Sequence, residues 1–171
     1  MEYGLWYPKG NDLVIQSYTD ADWAGSVDDR NNTSGATFYL GGCLVSWLSE
    51  KQSSISLSTA EARYITAATC CTQVLWMKKT LQDLQVKFDE HIPIFCNNTS
   101  ASSVSMNPVM HSKTKHIRIQ YHLFIEKVTK RNIKLEYVGT KERISNIFTK
   151  PLPHEAFEYL HQKLGLFPSF H

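Results

Sequence analysis

Tyr18-Thr19-Asp20-Ala21-Asp22-Trp23-Ala24-Gly25, entered from the β-rich run Leu13 to Thr19, reads as the end of a strand that carries a carboxylate to its tip. If the strand continues through Asp22, its period of two places Asp22 on the same face as Asp20. Working outward, Gly35 to Leu40 and Leu44 to Leu48 are two further β-prone runs around Gly41-Gly42, the pattern of an antiparallel hairpin. Ser58-Thr59-Ala60-Glu61 offers Ser58 as a helix N-cap with Glu61 three residues on, and an Ala- and Leu-rich segment follows to about Leu84. Ile92 to Cys96 is a short apolar strand and Thr99 to Met106 a short helix stopped by Asn107-Pro108. Lys115 to Thr129 is a second long helix with Ile117, Tyr121, Phe124, Ile125 and Val128 on one stripe. Ile133 to Val138 returns as a strand, and Glu142 to Phe148 and Glu155 to Leu164 read as helices on either side of Pro151-Leu152-Pro153. The order β-β-β-α-β-α-α-β-α predicts an α/β layer fold on a mixed sheet.

At 171 residues and 42% hydrophobic, the chain can bury one substantial core and is short for two, so a single domain over 1–171 is expected. The net charge of +2 advertises no nucleic-acid partner, and any such binding must come from a local patch. Cys43, Cys70, Cys71 and Cys96 lie in apolar stretches without Cys-x-x-Cys spacing, which predicts buried free thiols in an intracellular protein rather than disulfides or zinc ligands. The start lacks a signal-peptide pattern and no apolar run approaches the ~20 residues of a membrane span. A soluble monomer, cytosolic or nuclear and without a membrane partner, is the expectation.

Taken together, Leu5-Trp6-Tyr7-Pro8-Lys9-Gly10, Tyr18 to Gly25, Asp29-Arg30 with Thr33-Ser34-Gly35, Val45-Ser46-Trp47, Lys51-Gln52, Leu57 to Ala62, Asn107-Pro108-Val109, Thr114 to Ile117 and Ile147 to Leu152 span the chain. In order and spacing this set resembles the ribonuclease H domain at the C-terminal end of copia-type retrotransposon polyproteins, plant copies in particular. The resemblance implies a ribonuclease H-like fold, a mixed five-stranded sheet flanked by helices, and hydrolysis of RNA in RNA/DNA hybrids by carboxylates gathered around two magnesium ions. It also implies that residues 1–12 are a remnant of a connection region and residues 153–171 a C-terminal helix and tail.

The chemistry sets a charge requirement. Two dications ~4 Å apart repel by on the order of 15 kcal/mol at an effective dielectric near ~20, so surrounding acids must offset them. Carried over by the resemblance, the first acidic position is Asp20, which is retained. The second falls in Glu61-Ala62-Arg63-Tyr64. Spacing to a small residue one turn later favours Arg63, while helical periodicity leaves Glu61 open, since Tyr64, Ile65 and Ala68 form one stripe and Ala67, Cys70, Val74 and Met77 another. The third position is Asn97 and the fourth Asn146, amides where the family carries acids. Asp20 and Glu61 are then the remaining metal ligands, magnesium binding is weakened or lost, and hydrolysis is expected to be impaired or absent. Asp22 is a further acid that could join Asp20. Two alternatives stand beside this reading: a residual magnesium- or manganese-dependent ribonuclease H, and a non-enzymatic module that binds nucleic acid or protein.

Lys113, Lys115, His116 and Arg118 are candidate substrate-binding residues, and with Lys127, Lys130, Arg131 and Lys134 they could form a ridge along hybrid phosphates. Solvated helix faces have the same composition. His111, His116 and His122 could shuttle protons, although the Lys113-Thr114-Lys115-His116 signature suits a helix start. Trp23, Trp47 and Trp76 are expected in the core and Trp6 at a docking or partly exposed position.

Overall fold

Gly41 and Gly42, both at positive φ, turn the hairpin that the sequence predicts and start a five-stranded sheet. The computed structural model describes residues 3–10, 12–22, 32–53, 56, 58–87, 91–96, 115–139 and 142–168, with the backbone alone for 115–121. The chain runs through β1 (Tyr3–Leu5), β2 (Ile15–Asp22), β3 (Thr33–Leu40), β4 (Cys43–Lys51), α1 (Thr59–Asp83), β5 (Ile92–Cys96), α2 (Lys115–Thr129), β6 (Ile133–Tyr137), a short 3-10 helix (Ile144–Phe148), α3 (His154–Lys163) and β7 (Leu166–Pro168). The predicted helix at Thr99 to Met106 lies outside the described residues.

The main sheet has the order β4-β3-β2-β5-β6. Strands β2, β3 and β4 pair antiparallel, while β5 runs parallel to both β2 and β6. The sheet is therefore mixed and five-stranded, as expected. Alternation along β2 divides its side chains between two faces. Ser17 faces α1, where its Oγ lies 2.6 Å from Cys70 Sγ. Tyr18 faces away, stacked on Phe95 and edge-on to Tyr39.

The α1 face holds the larger core, with Ile15, Ala36, Phe38, Ala67, Cys70, Val74, Ile94, Phe124 and Ile133 buried together. Helix α2 closes it, Phe124 meeting Tyr64 edge-on at 5.2 Å. The opposite face holds a smaller cluster of Tyr39, Leu44, Ile144 and Leu164, joined by Leu5, Tyr18, Ile147, Phe148 and Leu166. A second, two-stranded sheet pairs β1 with β7, Gly4 opposite Phe167, and Tyr7 Oη donates to the Leu44 carbonyl at 2.7 Å. The first residues are thus bound to the last by a ladder that sequence reading did not anticipate.

Two tryptophans assigned to the core are exposed. Trp47 is 57% exposed because β4 is the edge strand and, among the described residues, its ring stacks on Phe148. Trp76 is 61% exposed, sharing the solvent side of α1 with Thr72 and Thr80. Apolar residues surround α1 on all sides, so its pattern did not mark the outer face. Trp6 is exposed at 71%, and Trp23 lies outside the described residues. Cys70, Cys71 and Cys96 are buried, reduced cysteines and Cys43 is half-buried. Among the described residues, no helix is long and apolar enough to cross a membrane.

Candidate active site

Asp20 lies on the side of β2 away from α1, opposite Gly35 of β3, and is 4% exposed. The strand does continue through Asp22, which is half-buried and on the same face. Gly35 has no side chain to fill the space over this pair of strands, and the 3-10 helix descends into it. A Cβ on Gly35 would lie 2.5 Å from Thr149 Cγ2 and 2.8 Å from the Ser145 carbonyl oxygen. The close approach requires glycine here for space.

That descent brings Asn146 and Thr149 to Asp20. Thr149 Oγ1 donates to Asp20 Oδ2 at 3.1 Å and lies 3.2 Å from the Asn146 carbonyl oxygen. Ser49 Oγ donates to the Phe148 carbonyl at 2.8 Å and holds the far end of the 3-10 helix. Asn146 is 6% exposed, and its Oδ1 is buried without a hydrogen-bond partner among the described residues. An orphaned buried amide oxygen is costly, of order ~1–3 kcal/mol, and such sites call for an explanation. Of the four positions implied by the resemblance, Asp20 and Asn146 are linked through Thr149, which bonds the Asp20 carboxylate and the Asn146 main-chain carbonyl.

The helix position arrives by a separate route. Gln52 Nε2 donates to Ser34 Oγ and to the Ala62 carbonyl, both at 2.9 Å, while Gln52 Oε1 accepts from Asn32 Nδ2 and Ser56 Oγ. Ser34 Oγ is also 2.7 Å from Thr66 Oγ1. This buried network ties the first turns of α1 to β3 at the level of Ala21, which pairs with Ser34 beside Asp20. Glu61 and Arg63 thus stand at the same end of the sheet as Asp20, on a helix that covers the other face. Arg63 leads the stripe Ala67, Cys70, Val74 and Met77, all four of them buried, and its Nε is enclosed without a hydrogen bond among the described residues. Ser58 Oγ accepts from the Glu61 backbone N–H at 3.2 Å, so the predicted N-cap is present.

Asn97 and Lys113 lie outside the described residues, as do the side chains of Lys115, His116 and Arg118. The strand before Asn97 ends at Cys96, one residue beyond the pair Phe95–Tyr18. Of the residues named for a basic ridge, the structure describes Lys127, Lys130, Arg131 and Lys134, around the turn from α2 to β6. Lys134 opens β6, at the end of the parallel strands opposite Asp20, and bonds to Glu136 at 2.9 Å. Lys127 and Lys130 both turn to Glu126, at 3.6 and 2.9 Å, and lower the pKa of that carboxyl. His122 is exposed on α2.

As a donor set, the described residues do not fit a pair of hard dications. Asp20, Asp22 and, from the helix on the other face, Glu61 supply carboxylates, Asn146 a neutral oxygen and Arg63 a positive charge. Among the described residues, no group of three His, Cys, Asp or Glu side chains is placed to hold a metal ion. Sequence reasoning passed over Thr149 and Gly35, although both fall inside quoted motifs; a glycine facing an acid across two strands was the available signal.

No protein-family model matches the chain. It is 34% identical over 165 residues to the retrovirus-related Pol polyprotein from transposon RE2 of Arabidopsis thaliana, a match that takes in 96% of the chain. The chain spans only 11% of that polyprotein's length. Among solved structures, it is similar to the N-terminal ribonuclease H domain of a Mycobacterium tuberculosis protein, with TM-score 0.54 and 8% identity over 88% of this chain and 97% of that one. It is similar also to LC11 ribonuclease H1 in complex with RNA/DNA hybrid, with TM-score 0.50 and 13% identity over 79% of this chain and 93% of that one.

Proposed function

Since this chain is a ribonuclease H-like domain of the retrotransposon Pol polyprotein kind, we propose that it retains the hybrid-binding role of the fold while its hydrolytic centre is disabled. The observation that carries the reading is the Thr149 hydroxyl that joins the Asp20 carboxylate to the 3-10 turn holding Asn146. Two strand faces and that turn converge here, and the turn offers an amide rather than a second acid. In a family whose chemistry uses divalent ions, water attack on a phosphodiester needs that charge to be neutralised. An amide oxygen can ligate a hard cation but cannot offset its charge, and Arg63 adds to the positive balance.

The residues present can still do work on a nucleic acid. Arg63, half-buried near the start of α1, adds a guanidinium whose charge suits a phosphate oxygen. In the sequence, Lys113, Lys115, His116 and Arg118 fall just before and within the first turn of α2 and are the further cations proposed for the hybrid. Helix α2 runs back antiparallel to β6, which brings its Lys115 end to the Asp20 end of the sheet. Hybrid binding on this reading is salt-sensitive and does not require added metal.

The test compares cleavage of a labelled RNA/DNA hybrid, first with magnesium and then with manganese, by the native chain and by Arg63→Glu/Asn97→Asp/Asn146→Asp. The native chain is expected to bind without cutting, and the triple variant to cut. Cleavage by the native chain would overturn the proposal and point to Glu61 or Asp22 as completing a working site. Silence from a folded triple variant would reject the assignment of these positions.

A further inference from the structure

Beside the Asp20 site lies a second concavity of about 290 Å³, lined by Tyr18, Phe95, Tyr137, Val138, Glu142, Ile144 and Lys163. Its floor is aromatic, with Tyr18 and Phe95 stacked at 4.8 Å and 23° between ring planes. Val138 and Ile144 close it below and are buried, whereas Glu142, Lys163 and Tyr137 are exposed at the rim. The concavity adjoins the Asp20 site along two elements at once. Tyr18 precedes Asp20 by two residues on the same face of β2, and Ile144 precedes Asn146 by two residues in the 3-10 helix. Two strand residues cover about 6.7 Å, so a group in the concavity is one side-chain row from the carboxylate.

We infer that this concavity receives one unstacked nucleobase from a strand whose backbone lies along Asp20 and Asn146, an inference that rests on the hybrid-binding reading above. The size is at the lower end for ligand sites, suited to a single heterocycle rather than a large molecule. Aromatic side chains such as Phe95 offer a π-face to any base, which is how unpaired nucleotides are held elsewhere. The rim carries one charge of each sign, and the two suit different parts of a nucleotide. Lys163, whose Nζ also lies 5.6 Å from the Tyr159 ring centroid, can reach a phosphate oxygen. The Glu142 carboxylate can accept from an exocyclic amino group, which adenine, cytosine and guanine carry and uracil and thymine lack. Burial raises the Tyr18 pKa and the negative charge of Glu142 raises it further, in keeping with a carboxylate near that hydroxyl.

The experiment measures binding by fluorescence anisotropy of a blunt RNA/DNA hybrid, of the same hybrid with a single-stranded adenine extension, and of a free adenine-containing single strand. The extension is expected to tighten binding by about tenfold, the effect of roughly one stacked base. Phe95→Ala should abolish that gain while leaving blunt-hybrid affinity in place, and Phe95→Trp should keep it. Should Phe95→Ala unfold, Lys163→Ala and Glu142→Gln serve instead, the second narrowing the preference for adenine over uracil extensions. Equal affinity for blunt and extended hybrids, or a gain that survives Phe95→Ala, would overturn the inference and leave hybrid binding standing. Phe95-dependent capture of single strands with no hybrid binding would support the pocket and reject the hybrid reading; no binding to any probe would remove both.

Discussion

On the α1 side of β2, Ser17 meets Cys70 and, one strand over, Phe38 and Ala36 sink into a large apolar core. On the other side the same strand presents Tyr18 to a smaller cluster and Asp20 to Thr149 and Asn146. The polar atoms of the two sides are treated differently. Gln52, Asn32, Ser34, Ser56 and Thr66 form a closed set of hydrogen bonds under α1. Near Asp20, Asn146 Oδ1 and Ser145 Oγ are buried without a hydrogen-bond partner among the described residues. The α1 face carries the larger apolar core and the connected polar network, with Arg63 Nε left over at its edge, whereas the other face carries the retained carboxylate. A fold can tolerate such groups on one face when the opposite face supplies the cohesion.

The comparison breaks most readily at the core. Phe38 is 2% exposed and central to the α1 face, so Phe38→Ala should cost about 3–5 kcal/mol in urea-induced unfolding. A loss below about 1 kcal/mol would mean that the α1 face is not the main source of stability. Gly35→Ala attacks the other face. The new methyl would press on Thr149 Cγ2 and on the Ser145 carbonyl, and the second of these is backbone that cannot swing away. A cost of roughly 1–3 kcal/mol is expected, and displacement of the 3-10 helix from Asp20 should remove whatever cleavage Arg63→Glu/Asn97→Asp/Asn146→Asp restores. Retained cleavage at full rate in the combined variant would show that the 3-10 helix need not sit on Gly35.

Much of this division was legible because it depends on local rules. The Ser58 cap, the positive-φ Gly41-Gly42 turn, the strand at Ile92–Cys96 and the helix at Lys115–Thr129 each follow from a few neighbouring residues. What escaped depends on partners distant in sequence. Strands β1 and β7 have three residues each and exist only because the chain ends meet. Ile144–Phe148 was read as part of an ordinary helix, but packing over Gly35 leaves room for a tight 3-10 turn only. Near Phe38 and Tyr39 the pairing with β4 slips, Phe38 facing Ser46 and Tyr39 facing Leu44, which no alternation in the sequence announced. Of the site itself, Asp20 and Asn146 were legible through resemblance to known motifs. Thr149 as the link between them required the three-dimensional approach.

The smallest effect expected concerns the thiols of α1, which report on how dry the core face is. Burial pushes Cys70 and Cys71 up to about 12, with the Ser17 hydrogen bond lowering Cys70 in part and the Lys127 charge doing so for Cys71. In the unfolded chain a cysteine titrates near ~8.5, so the folded state holds its protons more tightly. The sign follows from linkage: this contribution to stability is complete below the unfolded value and declines as pH rises from there toward 12. At neutral pH the native chain should therefore show slow reaction of Cys70 and Cys71 with a thiol-directed reagent, and half-buried Cys43 should react first. Urea midpoints should stay level up to about pH 8 and fall above it, with a shallower fall in Cys70→Ala/Cys71→Ala. Rapid modification of Cys70 in the folded chain at neutral pH would mean that α1 lifts from β2, and the contrast between a closed face and an open one would lose its basis.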